Sequence, residues 1–279
     1  MNKKKSILYK NDLKFSENLD LEQSEFESDN VKEIYNDYKT RPKIDLRIKD
    51  SELENYEYLD LSKLDMNDDI LIKLMELEKI KKILSKIKFL DLSNNNLKMV
   101  PELFNYKNII YLNVSSNKIG GNLDSNNLND NLIELVCDDN NITNIESNSL
   151  ERLVASNNLI ENIFVPNIKL LVINNNKLIR IDSYNKLTYL ECIDNNIEMI
   201  DNMENVEEIY ISNNKIINIG KIMPKITILN CAKNPINKIS YYNKLNFLVC
   251  STSYISSKYK IQHMNKVKDD YFISFNHEN

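Results

Sequence analysis

Apolar residues recur in one frame through most of this chain. Two of them stand two apart, an asparagine follows three places on, and two more apolar residues come after it. The frame can be written L-x-x-L-x-L-x-x-N-x-L-x-x-L. Its asparagines are Asn95, Asn117, Asn140, Asn158, Asn176, Asn195, Asn214 and Asn234, spaced about 18 to 23 residues apart. The copy Leu90-Asp91-Leu92-Ser93-Asn94-Asn95-Asn96-Leu97 is the clearest. Ile168, Leu171, Ile173, Asn176, Leu178 and Ile181 match the frame completely, as do Leu187, Leu190, Cys192, Asn195, Ile197 and Ile200. A ninth copy is worn: Leu245, Leu248 and Cys250 are followed by Ser253 in place of the asparagine. Self-similarity with a period of this length marks stacked repeats, each of which buries its apolar face only against its neighbours.

Each position has a physical task. The L-x-L pair alternates as in a short strand and turns both side chains to one face. Strands from successive copies then pair in parallel over a shared core. The asparagine falls where the chain leaves the strand and backbone groups lose their sheet partners. Its carboxamide both donates and accepts, so it can bridge the turns of neighbouring coils. The later copies are too short for a full return helix, so their outer side should be extended or a short 3₁₀ turn. From Asn67 to Lys86, Leu71, Leu74, Leu77, Ile80 and Leu84 recur at helical steps, and Asp68 or Asp69 suits a first turn. Leu59-Asp60-Leu61-Ser62-Lys63-Leu64-Asp65-Met66 reads as a divergent first copy without the asparagine. Tyr271-Phe272-Ile273-Ser274-Phe275 is placed to add a last strand or to pack across the final coil. The expected organisation is a charged arm over 1–54, disordered or loosely held, a solenoid over 55–259, and a cap or tail over 260–279.

Composition removes several alternatives. The chain has 279 residues and a formal net charge of -5, with no basic face of the kind that binds nucleic acid. It has three glycines, too few for a phosphate-cradling loop, so no nucleotide cofactor is expected. No window approaches a membrane span, and the basic start Met1–Lys10 lacks an apolar stretch after it, which favours an intracellular, cytoplasmic location. The Lys, Asn and Ile bias resembles that of an AT-rich genome, so single asparagines carry no weight and the register carries the argument.

Candidate chemistry is thin. Cys137, Cys192, Cys231 and Cys250 lack paired metal spacing, and all four occupy the second apolar slot of the strand, where Val114, Ala155 and Ile173 stand in other copies. They are expected to be reduced core residues. Cys137-Asp138-Asp139 and Cys192-Ile193-Asp194 form C-x-D triplets, but a buried strand cysteine cannot present a thiolate. His263 and His277 lie near the end of the chain without placed partners and form neither a triad nor a metal site. The lysine-rich stretch Lys79–Lys88 fits the exposed face of a helix.

The strand positions flanking the L-x-L pair are more informative, because they face away from the core. One column runs Phe89, Tyr111, Glu134, Arg152, Leu170, Tyr189, Glu208, Ile228 and Phe247. The other runs Asp91, Asn113, Val136, Val154, Val172, Glu191, Tyr210, Asn230 and Val249. At about 4.8 Å per strand they line roughly 40 Å of surface. Such a band, expected to be exposed, apolar and aromatic, marks a protein interface. The residues singled out for contact with a partner are Phe89, Tyr111, Arg152, Val154, Leu170, Val172, Tyr189, Glu191, Tyr210, Ile228 and Phe247.

Over residues 55 to 259 the frame resembles the leucine-rich-repeat superfamily. Segments such as Leu150-Glu151-Arg152-Leu153-Val154-Ala155-Ser156-Asn157-Asn158 look like the short repeats of bacterial effectors, and similar repeats occur among large DNA viruses. The resemblance implies an α/β solenoid, curved, with a parallel sheet on its concave face and a helix near its N-terminal end. It implies a non-catalytic module that binds a protein, here one that the sequence leaves unidentified. The alternative is a substrate-receptor subunit of a ubiquitin ligase, recruited through the N-terminal arm. No cofactor, metal, nucleic acid or membrane is expected, and oligomeric state is not legible.

Overall fold

The L-x-L pairs become a ladder of very short strands. The computed structural model describes residues 57–219, 223–251, 261–267 and 270–275. Backbone contacts group the chain into two units, Met1–Arg41 and Pro42–Asn279, and all the described residues belong to the second. The strands of the main sheet are β1 (Tyr58–Asp60), β2 (Phe89–Asp91), β3 (Tyr111–Asn113), β4 (Glu134–Val136), β5 (Arg152–Val154), β6 (Leu170–Val172), β7 (Tyr189–Glu191), β8 (Glu208–Tyr210), β9 (Ile228–Cys231) and β10 (Phe247–Cys250). They pair in parallel and in chain order. The sheet closes with an antiparallel hairpin, β11 (Ile261–Val267) and β12 (Asp270–Phe275), with β12 against β10. Residues 271–275 do add a strand. The frame did not show β11, because its sequence belongs to no repeat; it carries His263, which therefore lies on a strand.

The core runs the length of the stack. Leu90, Leu92, Leu112, Val114, Leu135, Cys137, Leu153, Ala155, Leu171 and Ile173 are all buried, and the apolar pair after each asparagine closes the far wall. Full burial of a Leu or Ile side chain contributes about 1.5–3 kcal/mol, so the frame explains why the stack holds. The outer side is extended, as expected, with local parallel pairing. Gly120–Leu123, Asn141–Glu146 and Asn162–Phe164 form one small sheet, Arg180–Ile181 pairs with Met199–Ile200, and Asn218–Ile219 pairs with Lys238–Ile239.

The expected helix over 67–86 is two helices, α1 (Asp68–Glu76) and α2 (Glu78–Leu84), broken at Leu77, which is extended at φ -66°, ψ 128°. The Asn67 side chain caps α1 by accepting from the Ile70 amide at 3.0 Å. A straight helix over all twenty positions would run about 30 Å. The chain must instead return to start β2 beside β1, in the register Tyr58 to Phe89. The break bends it back while keeping Leu71 on the core from α1, and Ile80, Ile83 and Leu84 from α2. Apart from these two helices the described residues are strand and turn, so the architecture is mostly β.

The asparagine ladder does more than end each strand. Asn176 accepts from the Ile160 amide at 2.9 Å and donates to the Ala155 carbonyl at 2.9 Å, both in the preceding coil. It also donates to the carbonyls of Ile173 and Asn174 in its own coil. Asn117, Asn140, Asn158, Asn195, Asn214 and Asn234 repeat the pattern. Each asparagine therefore serves the coil before it, which explains the first copy. Asn95 accepts from the amides of Leu64 and Met66 and donates to the Leu61 carbonyl. Among the described residues no repeat precedes that copy, and Leu64 stands where its asparagine would be.

The residue before each ladder asparagine is left-handed: Asn94, Ser116, Asp139, Asn157, Asn175, Asp194, Asn213 and Lys233 have φ between 50° and 56°. Asn and Asp tolerate this region best among residues other than Gly. The Asn-Asn and Asp-Asn pairs in the frame are thus a turn signal that the position of the second asparagine alone does not reveal.

Candidate binding surface

Strand pairing puts the two flanking columns in register from Phe89 to Phe247 and from Asp91 to Val249. All eleven residues singled out from the sequence fall in these columns and line one sheet face. Their neighbours on that face are fixed by three polar clusters and an apolar stretch.

At the N-terminal end, Asp91 accepts from the Tyr58 hydroxyl at 3.2 Å and from the Asn113 amide at 3.3 Å. Burial pushes the Tyr58 phenol above its usual range, and the charges of Asp91 and Asp60 push it further. The rings of Phe89 and Tyr111 lie 6.1 Å apart on the neighbouring strands. Next, Arg152 directs both Nε and Nη2 at Oε2 of Glu134, at 2.7 and 2.6 Å. Beside this pair Val136, Val154, Val172 and Leu170 make the apolar middle. In the third cluster Glu191 is held from two sides. The Tyr189 hydroxyl donates to Oε2 at 2.7 Å and the Asn174 amide donates to Oε1 at 2.6 Å. The Asn174 side-chain oxygen Oδ1 in turn accepts from the Ile193 backbone amide, fixing the orientation. The Tyr189 and Tyr210 rings are 5.7 Å apart, and the Tyr210 hydroxyl donates to Glu208 at 3.2 Å. Burial raises the Glu208 carboxyl above its ordinary range, the Tyr210 hydrogen bond opposing it and the Glu207 charge adding to it.

The expectation of an exposed band needs correction. Tyr189 is 3% exposed and Tyr210 8%, and Phe89, Tyr111, Val154, Leu170, Val172 and Glu191 are also buried. Arg152 and Ile228 are intermediate, and only Phe247, at 52%, stands open. Column position on a strand determines the direction of a side chain, but what lies above the sheet is a matter of tertiary structure. Sequence spacing located the columns; it did not reveal the hydrogen bonds to Glu191, because Asn174 belongs to the turn and not to the columns.

The cysteines sit where the frame put them. None of the four forms a disulfide, and all are buried. Burial pushes the thiols of Cys137 and Cys192 up, assisted by the charges of Asp138 and Glu191 respectively. Neither C-x-D triplet offers a thiolate. Among the described residues no group of three or more His, Cys, Asp or Glu side chains is arranged to hold a metal ion. No helix among them is long and apolar enough to cross a membrane. The N-terminal arm, residue 277 and the side chain of His263 lie outside the described residues.

No protein-family model matches the sequence, and no curated protein matches it either. Solved structures do match the fold. A leucine-rich-repeat protein of Leptospira interrogans superposes with a TM-score of 0.59 at 19% identity, over 76% of this chain and 59% of its own. The LRIM1/APL1C complex gives a TM-score of 0.57 at 18% identity, over 70% of this chain and 46% of that chain. The TLR13–ssRNA13 complex gives 0.53 at 16% identity, over 69% and 32%. The chain thus spans less than two thirds of the length of each. With a parallel inner sheet, repeats of about twenty residues and an asparagine bridging successive coils, the chain has the fold of a leucine-rich-repeat solenoid.

Proposed function

We propose that this chain is a non-catalytic interaction module whose concave sheet face receives a protein partner. The observation that carries the proposal is the composition of that face. Phe, Tyr, Leu and Val side chains stand in two continuous columns, interrupted by carboxylates and one guanidinium already fixed by hydrogen bonds. Aromatic anchors with preset polar groups are what a protein interface uses. The face holds Asp60, Asp91, Glu134, Glu191 and Glu208 against Arg152, a balance that repels phosphate backbones. One neighbour in fold is named for its complex with a second protein and another for an RNA; the acidity here favours the first kind. The ubiquitin-ligase alternative rests on residues 1–54, and nothing in the solenoid adds to it.

The test uses the open end of the face. Ile228→Glu and Phe247→Glu place charge where the side chains are not fully buried, so the fold should survive. Affinity capture from the native host with the unaltered chain should return a protein that both variants lose, with unchanged far-UV circular dichroism. Equal capture by the variants would remove the concave face from consideration.

A further inference from the structure

Two adjacent strands of the concave face carry a square of alternating groups. Tyr189 and Glu191 lie on β7, Glu208 and Tyr210 on β8, and the register pairs Tyr189 with Glu208 and Glu191 with Tyr210. Each carboxylate therefore has one phenol beside it along its own strand and another on the next strand. The Tyr189 and Tyr210 hydroxyls donate to Glu191 and Glu208 at 2.7 and 3.2 Å, and the two rings lie 5.7 Å apart. With the Asn174 amide, 2.6 Å from Glu191, these are the side-chain donors to the two carboxylates among the described residues. All three are neutral. The other cross-strand neighbours, Val172 beside Glu191 and Ile228 beside Glu208, bring no charge. Glu191 is nevertheless only 8% exposed. A carboxylate placed so deeply is ordinarily paired with a cation, and its two oxygens can accept about four hydrogen bonds.

The same face shows how such a carboxylate is completed. The Glu134 side chain on β4 is 1% exposed, and the 38% exposed Arg152 side chain on β5 brings two nitrogens to one of its oxygens. An accessible guanidinium caps a buried carboxylate there. The geometry points to Tyr189, Glu191, Glu208 and Tyr210 as a receptor for an arginine side chain supplied by the partner. The inference rests on the proposed function and names the partner's chemistry at one point of the face. The carboxylates supply the opposite charge, and the tyrosine rings supply surfaces on which a planar guanidinium stacks. Arginine suits this arrangement better than lysine, whose ammonium is a compact, strongly hydrated point charge. Entry is at Glu208, the partly exposed corner of the square. Burial raises the Glu208 carboxyl above its ordinary range, and a guanidinium beside it offsets that cost. Ile228 on the next strand is partly exposed, and Phe247 on the one after is open. A residue two places from the arginine, about 7 Å away in an extended chain, therefore meets an apolar surface.

The probe is a fluorescein-labelled peptide, Gly-Ser-Arg-Gly-Leu-Ser-Gly, titrated with the full chain at low ionic strength and read by anisotropy. Its control carries citrulline, the neutral isostere, in place of arginine. The arginine peptide should bind about tenfold tighter than the control, and Glu208→Gln and Glu191→Gln should each abolish most of that difference. Glu208→Gln, at a partly exposed position, keeps the test decisive should Glu191→Gln fail to fold; far-UV circular dichroism reports on both. Equal binding of the two peptides, binding of neither, or an undiminished difference in Glu208→Gln would overturn the inference. Affinity capture from the native host separates it from the reading on which it rests. A protein lost by Phe247→Glu and also depleted by Glu208→Gln supports both. One lost by Phe247→Glu but captured equally by Glu208→Gln overturns the arginine receptor and leaves the concave face as the interface. Discrimination between the peptides, with capture indifferent to Phe247→Glu and Ile228→Glu, upholds the receptor and counts against the partner-binding reading.

Discussion

Replacing Asn176 by Ala isolates the work of one rung in the ladder. The amide of Ile160 loses the oxygen that accepts it at 2.9 Å, in a residue that is fully buried. A buried donor left unsatisfied costs about 1–3 kcal/mol. The three carbonyls are less dependent on Asn176. Ala155 also accepts from Asn158 at 3.3 Å, Ile173 from Asn195 at 3.0 Å, and Asn174 from the Asn157 amide at 3.0 Å. Their loss adds roughly 1 kcal/mol. The expected total is about 3 kcal/mol, which for a domain of this size lowers the melting temperature by roughly 6–12 °C. Asn176→Asp keeps the acceptor but turns a carboxylate oxygen toward carbonyls, so at pH 7 it should be worse than Ala. Its folded carboxyl should titrate above the ordinary value near 4. The variant's stability should then recover as pH falls through that folded value and be complete below the unfolded one. Leu64→Asn supplies the contrast, since among the described residues no repeat precedes the first copy for it to serve; it should change stability by less than about 0.5 kcal/mol. Urea denaturation followed by circular dichroism, with a second probe to check that transitions coincide, measures all three. A loss below about 1 kcal/mol for Asn176→Ala, or no difference between the Ala and Asp variants at pH 7, would refute the bridging argument.

Other perturbations read other parts of the structure. Arg152→Ala leaves the Glu134 carboxylate buried without its guanidinium; with Arg152 itself partly exposed, a loss of about 2 kcal/mol is expected on denaturation, and Glu134→Gln in the same background should restore part of it. Lys233→Asn relieves a left-handed residue at φ 52° and should stabilise by up to about 1 kcal/mol, read from the urea midpoint. Glu208 has a folded pKa raised above its unfolded value, so its contribution is present below the unfolded pKa near 4.5 and is lost as pH rises through the folded one. Glu208→Gln should flatten that part of the stability–pH curve. Native protein should show no thiol reactive toward a maleimide, and unfolding should release all four cysteines.

The repeat frame was legible because its positions answer to the backbone. A strand residue that must face the core every coil can only be a small set of apolar side chains, and Cys137, Cys192, Cys231 and Cys250 entered that set by register alone. The same register placed Phe89, Tyr111, Leu170, Tyr189 and Tyr210 on one face. What it left open was anything depending on segments that meet across the stack. The break at Leu77 has no Gly or Pro to announce it; it follows from where β2 must begin. Asn174 holds Glu191 from the turn of the preceding coil, at a sequence distance that no periodicity reports.

The sequence by itself therefore determined the coil: its length, its inward and outward positions, and the asparagine that ends each strand, because these are local consequences of alternation and of backbone groups needing partners. The tertiary structure decided the use of that coil. It showed that each ladder asparagine serves the preceding repeat, and that Leu64 stands in the asparagine position of the first described copy. It also showed that most residues of the columns are buried, with Phe247 the most open of those singled out. Burial is a property of what packs above a side chain, and one strand's sequence carries no record of that.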